Sequence, residues 1–85
     1  MKSVLVIHER DLDDSEEAVI GVAESVEKAE FIISKYYGEY KQESFRDIRD
    51  SNLEYSKVIS VESSLRKGEV WRYELTLEWF TLNDC

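Results

Sequence analysis

The sequence predicts an α+β fold: a single, mainly antiparallel sheet in the order β-β-α-β-β, with one amphipathic helix packed on one face. Three observations carry this. Short apolar runs occur at residues 4–7 and 18–23; a spacing of three to four residues runs between Ser25 and Tyr40; and strict alternation runs from Trp71 to Trp79. Side chains repeat every two residues along a strand and every 3.6 along a helix, so each change of period marks a change of element.

Val4-Leu5-Val6-Ile7 and "AVIGVA" (18–23) are β-branched or apolar and read as strands. The short acidic stretch between them makes the pair an antiparallel hairpin with its loop around residues 11–16. Val26, Ala29, Ile33, Tyr36 or Tyr37, and Tyr40 then mark one face of a helix. Ser25 is placed to cap its N-terminus. Glu24, Glu27 and Glu30 lie near the positive end of the dipole, and Lys35 and Lys41 near the negative end. Gly38 supplies the left-handed stop.

The segment "SFRDIRDSNLEY" (44–55) admits two readings. Ser44 and Asp47 have capping-box spacing, and Phe45 and Ile48 are three apart, which suggests one or two helical turns. The other reading is an irregular crossing loop pinned by those two side chains. "YSKVISVE" (55–62) is the third strand and "SSLRKGE" a turn containing Gly68. In the last strand Trp71, Tyr73, Leu75, Leu77 and Trp79 point one way, and Arg72, Glu74, Thr76 and Glu78 the other. Phe80 and Leu82 fall on the polar side, so that end is either covered on both faces or exposed for a partner.

The 85 residues contain no proline, no repeat and no second composition regime, which predicts one domain spanning 1–85. A chain of this size buries roughly 60% of its unfolded surface. Its net charge of −8 repels phosphate backbones and anionic lipid heads, which argues against direct nucleic-acid or membrane binding. The opening "MKSVLVIHER" has four apolar residues in a row, against about 7–15 for a signal peptide and about 20 for a membrane span. The only cysteine, Cys85, is the last residue and has no disulfide partner in the chain. These features predict a cytoplasmic protein.

"HERDLDDSEE" (8–17) holds the one histidine and six carboxylates against a single arginine. It fails as an EF-hand loop. Counting from Asp11, Ser15 takes the place of the third ligand, Glu16 that of the required glycine, and Val22 that of the bidentate glutamate. One His and one Cys at opposite ends of the chain do not make a zinc site. No serine sits in a nucleophile elbow, and three unclustered glycines form no phosphate-cradling loop. The loop carboxylates are too polar in context for the burial that tunes a general acid or base. The expectation is a non-enzymatic protein with no metal and no cofactor.

Residues 8–17 carry a net −5, so the other 75 residues share only −3. A dense carboxylate cluster on a hairpin loop suits a Lys/Arg-rich groove. Tyr36, Tyr37 and Tyr40 cannot all face inward, and exposed tyrosine favours protein contacts. The partner-binding residues expected are Asp11, Asp13, Asp14, Glu16 and Glu17, with Tyr37 and Tyr40. The alternative is a self-associating module that holds a small ligand or peptide, a homodimer through an edge strand with Phe80 and Leu82 at the contact.

The "VLVIH" opening, "VIGVAESVEKAE", "DIRDSNLEYSKVISVE" and the terminal "YELTLEWFTLND" together resemble small acidic proteins of phages and other bacterial mobile elements. The resemblance implies a setting rather than a set of functional residues. Proteins of that kind include inhibitors of host defence, such as anti-CRISPR and anti-restriction proteins, some of which occupy a nucleic-acid site. The partner implied is a basic, nucleic-acid-handling host protein, with the hairpin acting as a DNA mimic.

Overall fold

Six elements follow one another: β1 (Lys2–Asp11), β2 (Glu17–Ala23), α1 (Val26–Tyr37), β3 (Lys41–Asp50), β4 (Leu53–Glu62) and β5 (Val70–Leu82). The computed structural model describes residues 2–63 and 68–82. The five strands form one sheet in the order β2-β1-β5-β4-β3, with every neighbouring pair antiparallel. The α+β class therefore stands, while the element order is β-β-α-β-β-β, one strand longer than the sequence suggested. Strands β1 and β5 are central. Strands β2 and β3, joined through α1, are the two edges, so the helix must carry the chain from one edge to the other across a single face.

Register decides what that face contains. Leu5, Ile7 and Glu9 on β1 stand opposite Trp79, Leu77 and Leu75 on β5. Leu77, Leu75 and Tyr73 in turn oppose Tyr55, Lys57 and Ile59 on β4. Between the helix and the sheet, Leu5, Ile7, Ile59, Leu75 and Leu77 of the strands and Ile33 of α1 are fully buried. The other face carries no helix and shows Arg10, Glu74, Thr76, Glu78 and Phe80 to solvent or partly so. α1 begins as the sequence predicts, with Ser25 Oγ accepting from Lys28 N at 3.2 Å, and ends at Gly38, whose φ of 71° is open to glycine. A side chain at Gly21 would place its Cβ 2.8 Å from Ile32 Cγ2, so only glycine lets α1 lie this close to β2.

Among the described residues one charge is buried in this core. Lys57 is 3% exposed, its ammonium 3.0 and 2.9 Å from the two carboxylate oxygens of Glu30 on α1. It also donates to Tyr40 Oη at 3.2 Å, and the Tyr55 hydroxyl donates to the same Glu30 carboxylate. All partners are supplied within the cluster, which is the condition for holding an ion out of water.

Three expectations change. Residues 44–50 are neither helical turns nor a crossing loop but part of β3, paired with β4. The register shifts between Gln42 and Ser44 and between Asp47 and Asp50, which breaks the alternation that would have revealed a strand. The turn after it, with Ser51 at φ 55°, closes a hairpin from β3 to β4. Second, of the two readings of the end of β5, cover on both faces is ruled out: Phe80 and Leu82 are 41% and 47% exposed, on a stretch that pairs with β1 and runs past Leu53, the β4 residue opposite Glu78. Third, the helix stops at Tyr37, so Tyr40 lies beyond it and packs under the core through Lys57. Of the turn predicted at 63–69, Ser63, Gly68 and Glu69 are seen, with Ser63 N bonded to Glu69 O at 2.8 Å, while 64–67 and Cys85 lie outside the described residues.

The Lys57 cluster makes an ordered prediction. Glu30→Ala strands an ammonium in the core and should cost about 3 kcal/mol, the low end for a broken buried pair because Glu30 is itself partly exposed. Lys57→Met removes the charge that needs a partner and should cost about 1 kcal/mol. Urea denaturation midpoints of the two variants check the order; equal losses, or a larger one for Lys57→Met, would contradict it.

Candidate functional site

The hairpin between β1 and β2 is held by its own first carboxylate. Asp11 Oδ1 accepts from Asp13 N at 2.9 Å and Asp14 N at 3.4 Å. Asp11 O accepts from Ser15 N at 2.7 Å, and Asp11 N donates to Glu16 O at 2.9 Å. Ser15 takes the left-handed conformation at φ 60° to close the loop, and Leu12 N reaches Arg72 O on β5 at 3.2 Å. The result is an ordered tip from which Asp13, Asp14, Glu16 and Glu17 project into solvent.

Much of the charge elsewhere is matched. Arg10 pairs with Glu74 at 3.1 Å and Arg72 with Glu43 at 3.1 Å on the open face. Lys2 and Lys28 share Glu24, at 3.0 and 3.3 Å, and hold its carboxyl below the usual range. Arg49 lies 3.3 Å from Asp47 and 3.8 Å from Glu54. No such pair forms at Asp11, Asp13, Asp14, Glu16 or Glu17 among the described residues. The densest group of carboxylates without a counter-ion is thus on one hairpin, while Glu27, Glu39 and Glu62 stand singly without one elsewhere among the described residues.

His8 stands on the open face, opposite Thr76 of β5. Its Nε2 is 3.4 Å from Glu78 Oε1, yet this nitrogen is sealed from solvent and makes no hydrogen bond. Among the described residues no three His, Cys, Asp or Glu side chains come together in a way that would hold a metal ion. No helix of the described residues is long and apolar enough to cross a membrane.

The tyrosines divide differently from the expectation. Tyr36 is the exposed one, at 58%, whereas Tyr37 and Tyr40 are half-buried and pack against the core. Tyr37 donates to Glu9 Oε1 at 2.5 Å and lies 5.3 Å from the ring of Tyr73. Tyr36 meets Tyr37 edge-on at 4.8 Å, with the planes 73° apart. The helical phase contained this answer: Ala29, Ile33 and Tyr37 are spaced by four, so the face that buries the first two also takes Tyr37. Tyr36, Tyr37 and Tyr73 then line a cleft of about 390 Å³ between the end of α1 and the hairpin, whose other walls include Glu9, Asp11, Glu16 and Glu17. Glu9 and Tyr73 were missed as site residues because only the β1–β5 pairing brings them beside the helix.

No family model, curated protein or solved structure matches the chain.

Burial, together with the hydrogen bond to Glu9, raises the Tyr37 hydroxyl far above its ordinary value of 10.0. Burial and the bond to Glu30 do the same for Tyr55. In both, the folded state keeps the proton while the unfolded chain releases it near 10. Their contribution to stability is full below pH 10 and declines as pH rises beyond it. A tyrosinate absorbance titration should therefore show these two ionising only as the fold is lost, and Tyr37→Phe should make stability less steep in pH above 10. A fully reversible titration of every tyrosine in the folded protein would refute this.

Proposed function

We propose that the protein is a non-enzymatic binding protein whose acidic hairpin occupies the basic, nucleic-acid-binding groove of another protein and so inhibits it. The observation that carries the reading is the partition of charge. Acidic residues over the rest of the fold are largely paired, while Asp13, Asp14, Glu16 and Glu17 are exposed, unpaired and fixed on a rigid loop. A fixed array of unpaired carboxylates attracts a Lys/Arg-rich groove and meets it with little ordering cost. In this mechanism Asp11, Asp13, Asp14, Glu16 and Glu17 stand in for phosphates. An inhibitor of host defence, of the anti-CRISPR or anti-restriction type found among the small acidic phage proteins that the sequence resembles, would work in this way.

The test is displacement of a labelled DNA duplex from a panel of bacterial nucleases and CRISPR effectors, followed by fluorescence anisotropy. Displacement should weaken steeply as salt rises. Replacing Asp13 and Asp14 by Asn and Glu16 and Glu17 by Gln should weaken it about tenfold or more, the sum of four modest exposed contributions. If the neutral variant displaces DNA as well as the parent, or no member of the panel is displaced, the reading fails.

A further inference from the structure

Beside the hairpin is a feature that phosphate mimicry does not use: the cleft walled by Tyr36, Tyr37 and Tyr73. Its walls come from the end of α1, the β1–β2 hairpin and β5, with Val61 of β4 beside them, at one end of the sheet. Tyr36 and Tyr37 stand nearly perpendicular, and Tyr73 closes the floor at 5.3 Å from Tyr37. Around these rings lie Asp11, Glu16 and Glu17, none of which has an ion pair among the described residues. Aromatic faces carry negative potential, so rings and carboxylates here attract the same kind of group.

We propose that this cleft takes one arginine side chain of the basic partner, its guanidinium stacked on a tyrosine ring and its N–H groups paired with the carboxylates. The assignment rests on the reading above and narrows it to an anchor. A planar guanidinium suits the cleft because it stacks and donates in a fork at once. A quaternary ammonium has no donors and would leave the carboxylates desolvated and unpaired. A lysine ammonium donates as a point charge and does not stack as a plane. Glu9 is engaged by the Tyr37 hydroxyl, which fixes that ring, and Asp11 Oδ1 by the loop backbone, which leaves Glu16 and Glu17 as the open acceptors. Tyr36 is the wall with most freedom, being 58% exposed, so replacing it should leave the fold intact.

The experiment is an NMR titration with N-acetyl-arginine amide, read at the tyrosine ring protons. N-acetyl-lysine amide and tetramethylammonium serve as comparisons at equal ionic strength. The arginine derivative should shift Tyr36, Tyr37 and Tyr73 saturably and more tightly than either comparison. Tyr36→Leu should weaken it about threefold to fivefold, the size of one exposed cation–π contact, and Tyr36→Phe should restore it. Equal affinity for tetramethylammonium, or no loss in Tyr36→Leu, would overturn the proposal. An oligoarginine peptide separates the two levels. If its binding falls on neutralising the hairpin but is untouched by Tyr36→Leu, the cleft is wrong and the acidic hairpin stands. If neither change affects it, both are wrong.

Discussion

The buried pair of Lys57 and Glu30 is the contact on which the arrangement of this molecule depends. The sheet order obliges α1 to travel from edge strand β2 to edge strand β3, and a twelve-residue helix over a five-stranded sheet could settle at more than one angle. Apolar contact is non-directional and does not choose among them. An ammonium that is 3% exposed and met by both oxygens of one carboxylate does choose. It fixes Glu30 over β4, and so sets the last turn of α1, with Tyr36 and Tyr37, against Tyr73 and the hairpin.

That placement gives the two ends and two faces of the sheet different characters. The open face is a lattice of opposite charges, with Arg10 across from Glu74 and Arg72 near Glu43. Pairs of this kind are worth little to stability, but they consume charge, and a consumed charge projects little field. The hairpin tip does the opposite. Asp11 spends its carboxylate on the backbone of the loop, and the acids after it have nothing nearby to neutralise them. The fold thus turns a modest excess of acid into a local one. A partner would meet a rigid anionic projection with an aromatic cleft at its base.

How much of this was legible in the sequence depended on whether the signal was local. The β1–β2 hairpin, the Ser25 cap, the Gly38 stop and the alternation of β5 are written in neighbouring residues, and each appears where the pattern put it. β3 was not legible, since an exposed edge strand with two register shifts has no reason to alternate, and Phe45 is 54% exposed. Its one local clue was the turn at Asp50-Ser51-Asn52, which joins it to β4. The acidic tip was legible as a charge count, but its lack of counter-ions was not, because Arg10 and Arg72 are matched by cross-strand neighbours. The cleft was hidden for the same reason: it needs Glu9 and Tyr73 beside α1, and only long-range strand pairing puts them there.

The central claim is that uncompensated negative potential is concentrated on the hairpin. The most direct measurement is the electrostatic potential at each backbone amide, from NMR relaxation by cationic and anionic nitroxide probes added in turn. The account predicts that amides of residues 11–17 are relaxed far more by the cationic probe, while those of β3 and of β5 along the open face respond nearly equally to both. A potential that is even over the whole surface would contradict it.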